Sequence, residues 1–246
     1  MGTLYLVRHG QASFGAADYD QLSPLGLQQS RRLGEYLRER HGEALRFDAV
    51  LTGTLRRQRQ TWAGIAEGAG IMAPDPKTVT DTAHAASATD APVGMHLLWP
   101  GLNEYDSHAV IEAIHPEPLP KPDTPELVRQ HFRLLREGLL QWMQGAVQPA
   151  GMSSYRDFVL GVASALDHVR AQFSGTVLIV SSGGPIATAV GHVLSAPPAT
   201  SIELNLHIRN TSVTELTVTP RRQTLLTYNT LPHLDGPAWR DWVTYA

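Results

Sequence analysis

Short apolar runs alternate with longer amphipathic stretches along most of the chain. The first run, "TLYLV", leads directly into the polar turn "RHG" and predicts a buried strand that ends there. The run "FDAVL" predicts a second strand, and "TVLIV" predicts a third, which ends in the turn "SSGG". Near the C-terminus, "SVTELTVT" and "QTLLTYN" flank Pro220 and predict a hairpin.

The amphipathic stretches predict helices with recognisable ends. After "LSP", Leu27, Leu33 and Leu37 recur on one helical face, and Gly42 is a suitable stop. In "TLRRQRQTW", arginines crowd the first turns of a helix. That placement opposes the helix dipole, which favours negative charge at a helix start. It indicates that an anionic group binds nearby.

Strands that alternate with helices predict an α/β protein with a mainly parallel sheet between two helical layers, a three-layer α/β/α arrangement. We expect residues 1–246 to form a single domain. From about 71 to 150 the alternation weakens, and the clearest element is an amphipathic helix with Thr124 as cap and Pro125 at its first position. This stretch predicts a helical insertion that covers a site as a lid.

Composition narrows the function classes. A net charge of −3 gives no bulk field for nucleic acid or an anionic membrane. The chain has no cysteine, which excludes disulfides and thiolate metal sites and fits a reducing compartment. No apolar run approaches the roughly 20 residues that span a bilayer. We therefore expect a soluble, cytoplasmic protein that binds neither nucleic acid nor membrane, and its oligomeric state stays open.

Polar groups follow the predicted strands at the sheet edge where α/β proteins bind ligands. They are Arg8-His9-Gly10, the pair Arg56-Arg57, Glu104 and the turn 181–184. Arginines and backbone N–H groups at a helix start suit a phosphoryl group. A histidine can act as nucleophile, and a glutamate can carry a proton.

Five fragments, in order, resemble the motifs of one known family. They are "LVRHGQAS", "LSPLGLQQS", "TLRRQRQT", "LNE" and "VLIVSSGGPI". Together they are similar to the histidine phosphatase (phosphoglycerate mutase-like) superfamily. The motif Leu-x-Arg-x-x-Gln-Thr aligns Arg57 rather than Arg56 with the family arginine, so Arg56 and Arg59 are expected on a solvated face.

The resemblance implies a metal-independent phosphomonoesterase that needs no cofactor and acts on a small phosphorylated metabolite. By that resemblance, His9 attacks phosphorus, Arg8 and Arg57 hold its oxygens, and Glu104 protonates the leaving alcohol. Asp81, Asp90 and Asp106 are rivals for the role of Glu104. Ser182 and Gly183 are expected to contact the phosphate.

The chain departs from the family pattern at two positions. Ser182 stands where the family has a second histidine, and Gly15 stands where it often has an asparagine. A neutral hydroxyl thus replaces a group that can be cationic, and loss of one transition-state donor can cost about a hundredfold in rate. Activity could therefore be full, reduced or absent.

Three alternatives stay open. A catalytically weak phosphate-ester binder of the same fold would explain Ser182 and Gly15. A phosphoglycerate mutase is disfavoured because Gln11 and Ala12 replace the Glu-Ser that follows the first motif in family mutases. A serine esterase would use Ser182 with Glu203 or Glu215 and then His233, which is the chain order of α/β-hydrolases.

Overall fold

The computed structural model describes residues 1–13, 20–78, 94–120 and 123–245. Their strands form one sheet in the order β3-β4-β2-β5-β1-β6-β7. The strands are β1 Gly2–Arg8, β2 Ala49–Thr52, β3 Pro76–Thr78, β4 Met95–Leu98, β5 Thr176–Ser181, β6 Val213–Thr219 and β7 Arg222–Thr230. The run from β3 to β1 is parallel, while β6 and β7 pair antiparallel. Both the mainly parallel sheet and the C-terminal hairpin are confirmed.

Helices cover both faces of this sheet. They are α1 Pro24–His41, α2 Arg56–Ala69, α3 Ser107–Glu112, α4 Pro125–Met143, α5 Tyr155–Gln172, α6 Gly183–Val193 and α7 Pro198–Leu206. Alternate residues of β1 serve the two sides: Tyr5 and Val7 pack with α1 and α2, whereas Leu4 and Leu6 pack with α5 and α6. Because both faces are buried, β1 reads as a continuous apolar run, and the three-layer α/β/α class is confirmed.

Helix α1 begins and ends where the sequence predicts. The Ser23 side chain accepts a hydrogen bond from Gly26 N at its start, and Gly42 ends it with a φ of 60°. Its buried face is shifted from the predicted one, because Leu33 and Leu37 are buried but Leu27 is 43% exposed. The small residue Gly26 takes the inward position instead, since its backbone lies against Gln11.

The segment 71–150 is not wholly helical. It contains β3 and β4, and β4 pairs with β2 in the sheet, so the strand–helix alternation continues further than predicted. Four-residue β4 was missed because so short a run gives little periodic signal. The helical part is α3 and α4, which share an apolar cluster with α7, a helix that the sequence pattern did not predict. The lid role of this segment stays a prediction.

Within the described ranges, none of the helices combines the length and the apolar character needed to cross a membrane.

Candidate active site

Four neighbouring parallel strands deliver the predicted site residues to one edge of the sheet. In sheet order, β4 leads to Glu104, β2 to Arg57 on α2, β5 to Ser182, and β1 to His9. The carboxyl ends of parallel strands meet at the same edge, which is where α/β folds bind ligands. Residues that are far apart in the sequence are therefore brought to the same end of the sheet.

The turns after β1 and β5 are joined directly. Arg8 lies opposite Ser181 in the parallel register, and His9 N donates to Ser181 O at 2.8 Å. Gly10 N donates to Thr61 Oγ1 at 2.9 Å, and Asn210 Nδ2 donates to His9 O at 3.1 Å. Three hydrogen bonds to backbone groups of the histidine turn, one from the main chain and two from side chains, thus hold its conformation.

The imidazole of His9 has a defined tautomer. His9 Nδ1 lies 2.7 Å from Gly10 O, and because a carbonyl only accepts, Nδ1 carries the hydrogen. Arg57 Nε donates to His9 Nε2 at 3.2 Å, so Nε2 holds a lone pair. The side chain is only 3% exposed. The available nucleophilic atom is therefore Nε2, and it lies next to a guanidinium.

The surroundings of His9 keep it neutral. Burial lowers its pKa well below the ordinary value, and the positive charges of Arg8 and Arg57 lower it further. The hydrogen bond to the Gly10 carbonyl opposes this shift, since it stabilises a protonated ring. The surroundings therefore favour the neutral imidazole over the protonated ring.

The two arginines are held by different partners. Arg57 is buried in the first turn of α2, and its Nη1 lies 2.7 Å from Asp20 Oδ1. Asp20 Oδ2 accepts from Arg56 N at 2.9 Å, so one carboxylate braces the guanidinium against the helix start. Arg8 Nη1 donates to the carbonyls of Ile208 and Tyr245. As expected, Arg56 and Arg59 are exposed.

Sequence reasoning missed Asp20. Its partner Arg57 is 37 residues away, and no local pattern signals such a pairing.

The carboxylate of Glu104 is hydrogen-bonded to the turn after β5. Its Oε2 accepts from Gly184 N at 3.0 Å, and its Oε1 accepts from Tyr105 N at 3.2 Å. Burial raises the pKa of Glu104, while the Gly184 N–H and the two arginines oppose the rise. A carboxyl that keeps its proton above the usual range can act as an acid.

The rival carboxylates have other positions. Asp106 caps α3 by accepting from His108 N and Ala109 N. Asp81 and Asp90 lie outside the described residues, as does Gly15.

Ser182 is the N-cap residue of α6 but makes no side-chain cap hydrogen bond. Its Oγ instead accepts from Gln58 Nε2 at 2.8 Å. Glycine at the next two positions leaves room for neighbouring side chains, because a Cβ on Gly183 would displace the Asn205 amide and one on Gly184 would displace the Glu104 carboxyl. The turn thus brings backbone N–H groups at a helix start close to the site.

A family model decides the classification. The model of the histidine phosphatase superfamily, branch 1, matches residues 4–88 and 123–231, which is most of the chain. The chain belongs to the histidine phosphatase superfamily. No curated protein matches it.

Solved structures of other proteins share this histidine phosphatase fold. YhfR of Bacillus stearothermophilus is 19% identical with a TM-score of 0.62, and the match covers 95% of this chain and 99% of that one. A mycobacterial glucosyl-3-phosphoglycerate phosphatase is 21% identical with a TM-score of 0.59, covering 94% and 99%. A phosphoserine phosphatase mutant from Entamoeba histolytica, in complex with phosphoserine, is 19% identical with a TM-score of 0.57, covering 95% and 100%.

The serine esterase alternative does not fit the histidine phosphatase site. His233 Nε2 is bonded to Thr211 Oγ1 at 3.0 Å rather than to Ser182, and Glu203 is paired with Arg136. Ser182 Oγ is bonded to a carboxamide, which cannot act as a base. The triad that the chain order suggested is not assembled.

An apolar pocket adjoins the acid side of this histidine phosphatase site. Gly184 and Tyr105, both in contact with Glu104, belong to its lining. The other lining residues include Leu139, Trp142, Tyr155, Phe158, Thr188 and Asn205. The pocket is small and is lined by residues of helices α4 to α7 together with Tyr105.

Proposed function

We propose that this protein hydrolyses phosphomonoesters without a metal, through a phosphohistidine formed on Nε2 of His9. The supporting observation is the pair of bonds on the ring: Nδ1–H donates to Gly10 O, and Nε2 accepts from Arg57 Nε. The nucleophilic lone pair and the cation that neutralises the transferred oxygens are thus adjacent. Phosphoryl transfer depends mainly on such positioning and charge neutralisation.

In the first step, the Nε2 lone pair of His9 forms a bond to phosphorus while the bond from phosphorus to the leaving oxygen breaks. The carboxyl of Glu104 gives its proton to that oxygen, which departs as an alcohol. Arg8 and Arg57 bind the transferred oxygens, and the N–H of Gly183 and the hydroxyl of Ser182 add neutral donors. The hydrogen on Nδ1 keeps its hydrogen bond to Gly10 O, which stabilises the positively charged ring.

In the second step, the Glu104 carboxylate takes a proton from water as the water oxygen attacks phosphorus. The bond between phosphorus and Nε2 breaks, and its electron pair returns to His9. Inorganic phosphate leaves, and Glu104 is protonated for the next cycle. The same carboxyl therefore serves as acid and then as base.

The substrate we propose is a small phosphorylated metabolite. Similar structures carry names that specify glucosyl-3-phosphoglycerate phosphatase and phosphoserine phosphatase, and two of them hold inorganic phosphate and 3-phosphoglyceric acid.

The second candidate is a catalytically weak phosphate-ester binder with the same site. Ser182 favours the binder, because its hydroxyl, which accepts a hydrogen bond from Gln58, is neutral and adds no positive charge to the site. The arginines would still hold the anion, but the transition state would gain less stabilisation than in an enzyme with an imidazole there.

Hydrolysis of p-nitrophenyl phosphate, with and without a chelator, tests the proposal. Release should survive the chelator, vanish in His9→Ala and persist in His192→Ala, which removes an exposed imidazole at the end of α6. Absence of release together with a phosphate-dependent rise in melting temperature would favour the binder. Interconversion of phosphoglycerates would instead identify a mutase.

A further inference from the structure

Gln58 is a buried polar residue that the family motif does not account for. It follows Arg57 on α2 and is inaccessible to solvent. Its Nε2 donates to Ser182 Oγ at 2.8 Å and to Leu102 O at 3.0 Å. Within one amide group it therefore links α2, the loop that leads to Glu104 and the turn after β5.

The orientation of the Gln58 amide is determined by Leu102. The Leu102 carbonyl can only accept, and it also accepts from Ser181 Oγ at 2.7 Å. A flipped amide would place Gln58 Oε1 against this carbonyl oxygen, so the nitrogen must face it. In this orientation Oε1 is buried and lacks a hydrogen-bond partner among the described residues. The unpaired Oε1 accompanies two satisfied N–H groups, which donate to Leu102 O and Ser182 Oγ.

The amide in turn determines what the Ser182 hydroxyl can do. Since Ser182 Oγ accepts from Gln58, the single hydroxyl proton must point elsewhere. It does not serve α6, because a hydroxyl proton cannot bond to the N–H groups of a helix start. Ser182 directly follows Ser181, whose carbonyl accepts from His9 N, so this residue borders the histidine turn. Among the described residues the Ser182 hydroxyl accepts this one hydrogen bond and donates none, so its proton is available to a bound anion.

We propose that Gln58 is a positioning residue that fixes the Ser182 hydroxyl as a hydrogen-bond donor to the phosphoryl group. The inference rests on the proposed phosphatase function. Such a donor is neutral and does not titrate between pH 5 and 9, unlike an imidazole.

A double-mutant cycle tests the coupling. Gln58→Met keeps the length of the side chain but removes its donors, and Ser182→Ala removes the hydroxyl. Each should lower kcat for p-nitrophenyl phosphate and the affinity for vanadate about tenfold, the worth of one hydrogen bond. The kcat and the vanadate affinity of the double variant should be no lower than those of the less active single variant, because both changes remove the same donor.

Ser181→Ala is the matched control for stability. It also deprives the Leu102 carbonyl of one donor, but it leaves the bond between Gln58 and Ser182 in place. It should therefore lower the melting temperature about as much as Gln58→Met while costing much less in kcat. Equal losses of kcat in the two variants would reduce Gln58 to a structural role.

Gln58→Glu adds a readout that packing alone would not move. A carboxylate at this position would accept a hydrogen bond from the Ser182 hydroxyl. That hydroxyl could then no longer donate to the phosphoryl group. The ratio of variant to wild-type kcat should fall as pH rises through the pKa of the new carboxyl, which burial raises. A ratio that is constant with pH would overturn the inference.

The outcomes separate this inference from the function on which it rests. If the wild type turns over and the two single changes are additive, the role of Gln58 is wrong and the phosphatase stands. If the wild type does not turn over but vanadate affinity is coupled between Gln58 and Ser182, the phosphatase is wrong and the positioning role stands. If the wild type neither turns over nor binds vanadate, both are wrong.

Discussion

The candidate site has two halves that work by different means. The arginine half, made of Arg8, His9 and Arg57, concentrates positive charge around one neutral imidazole. The serine half, made of Glu104, Ser182 and Gln58, contains a carboxyl that tends to keep its proton, a hydroxyl and a carboxamide. The first half can bind an anion and supply a nucleophile, whereas the second can only move a proton and donate neutral hydrogen bonds.

This contrast indicates how catalytic effects should divide. In the proposed mechanism, charge neutralisation and the covalent bond to phosphorus both depend on the arginine half, so changes there should be the most damaging. In the same proposal the serine half assists departure of the alcohol and attack of water, either through Glu104 or through the hydroxyl of Ser182. Changes there should reduce turnover without abolishing anion binding.

The largest effect is expected for Arg57→Ala. It removes the cation beside His9 Nε2 and one of the positive charges that keep the His9 pKa low. We expect kcat/KM for p-nitrophenyl phosphate to fall about a thousandfold, as when an arginine is taken from a phosphoryl-transfer site. Arg59→Ala removes an exposed arginine from the same helix and should have little effect. Similar losses in both variants would contradict a specific role for Arg57 in the arginine half.

Glu104→Gln should cost about a hundredfold with an alkyl phosphate, because the leaving alkoxide needs a proton. With p-nitrophenyl phosphate the loss in kcat/KM should be much smaller, since p-nitrophenolate leaves without one. The measurement is the ratio of wild type to variant for both substrates. A loss that is equal for the two leaving groups would argue that Glu104 only maintains the turn through Gly184.

Restoring an imidazole in the serine half should change turnover about tenfold, in a direction that depends on Gln58. Ser182 is fully buried against the Gln58 amide, so Ser182→His alone lacks room and should lower kcat. Combined with Gln58→Ala, the same change gains space and a donor that can be cationic, and kcat should rise above that of wild type. Equal kcat for the single and combined variants would show that Gln58 does not limit the space.

The smallest effect expected is a change in pH dependence. The first step needs neutral His9 and protonated Glu104. Burial lowers the His9 pKa below its usual 6.5 and raises the Glu104 pKa above its usual 4.5, so the pH range in which His9 is neutral and the range in which Glu104 is protonated approach each other. The ratio of kcat/KM for wild type to that for Glu104→Gln should therefore be high in acid and fall as Glu104 ionises. A flat ratio would contradict the proton transfer.

The arginine half could be predicted from the sequence because its members belong to short contiguous motifs. Arg8 and His9 end an apolar strand, and Arg57 has a fixed spacing to Gln60 and Thr61. The sheet and its central strands followed for the same reason, since each apolar run stops at a turn. What these motifs could not supply is the brace from Asp20, which depends on a contact across 37 residues.

The serine half was harder to predict because its contacts join separate segments. A signal for Gln58 did exist: it lies on the stripe of α2 with Thr61, Trp62 and Ile65, which are all buried. A glutamine on an inward-facing stripe must find partners, but the sequence does not tell which. The short strand β4 and helix α7 were missed because neither has a periodic pattern of useful length.

The most direct test of the central claim is to trap the phosphoenzyme during turnover. The Glu104→Gln variant, mixed rapidly with p-nitrophenyl phosphate and quenched in base, should accumulate an acid-labile phosphoryl group because attack by water is slowed. Peptide mass spectrometry should place this group on His9. A phosphoryl group on Ser182, or turnover with no phosphoenzyme on His9, would contradict the account.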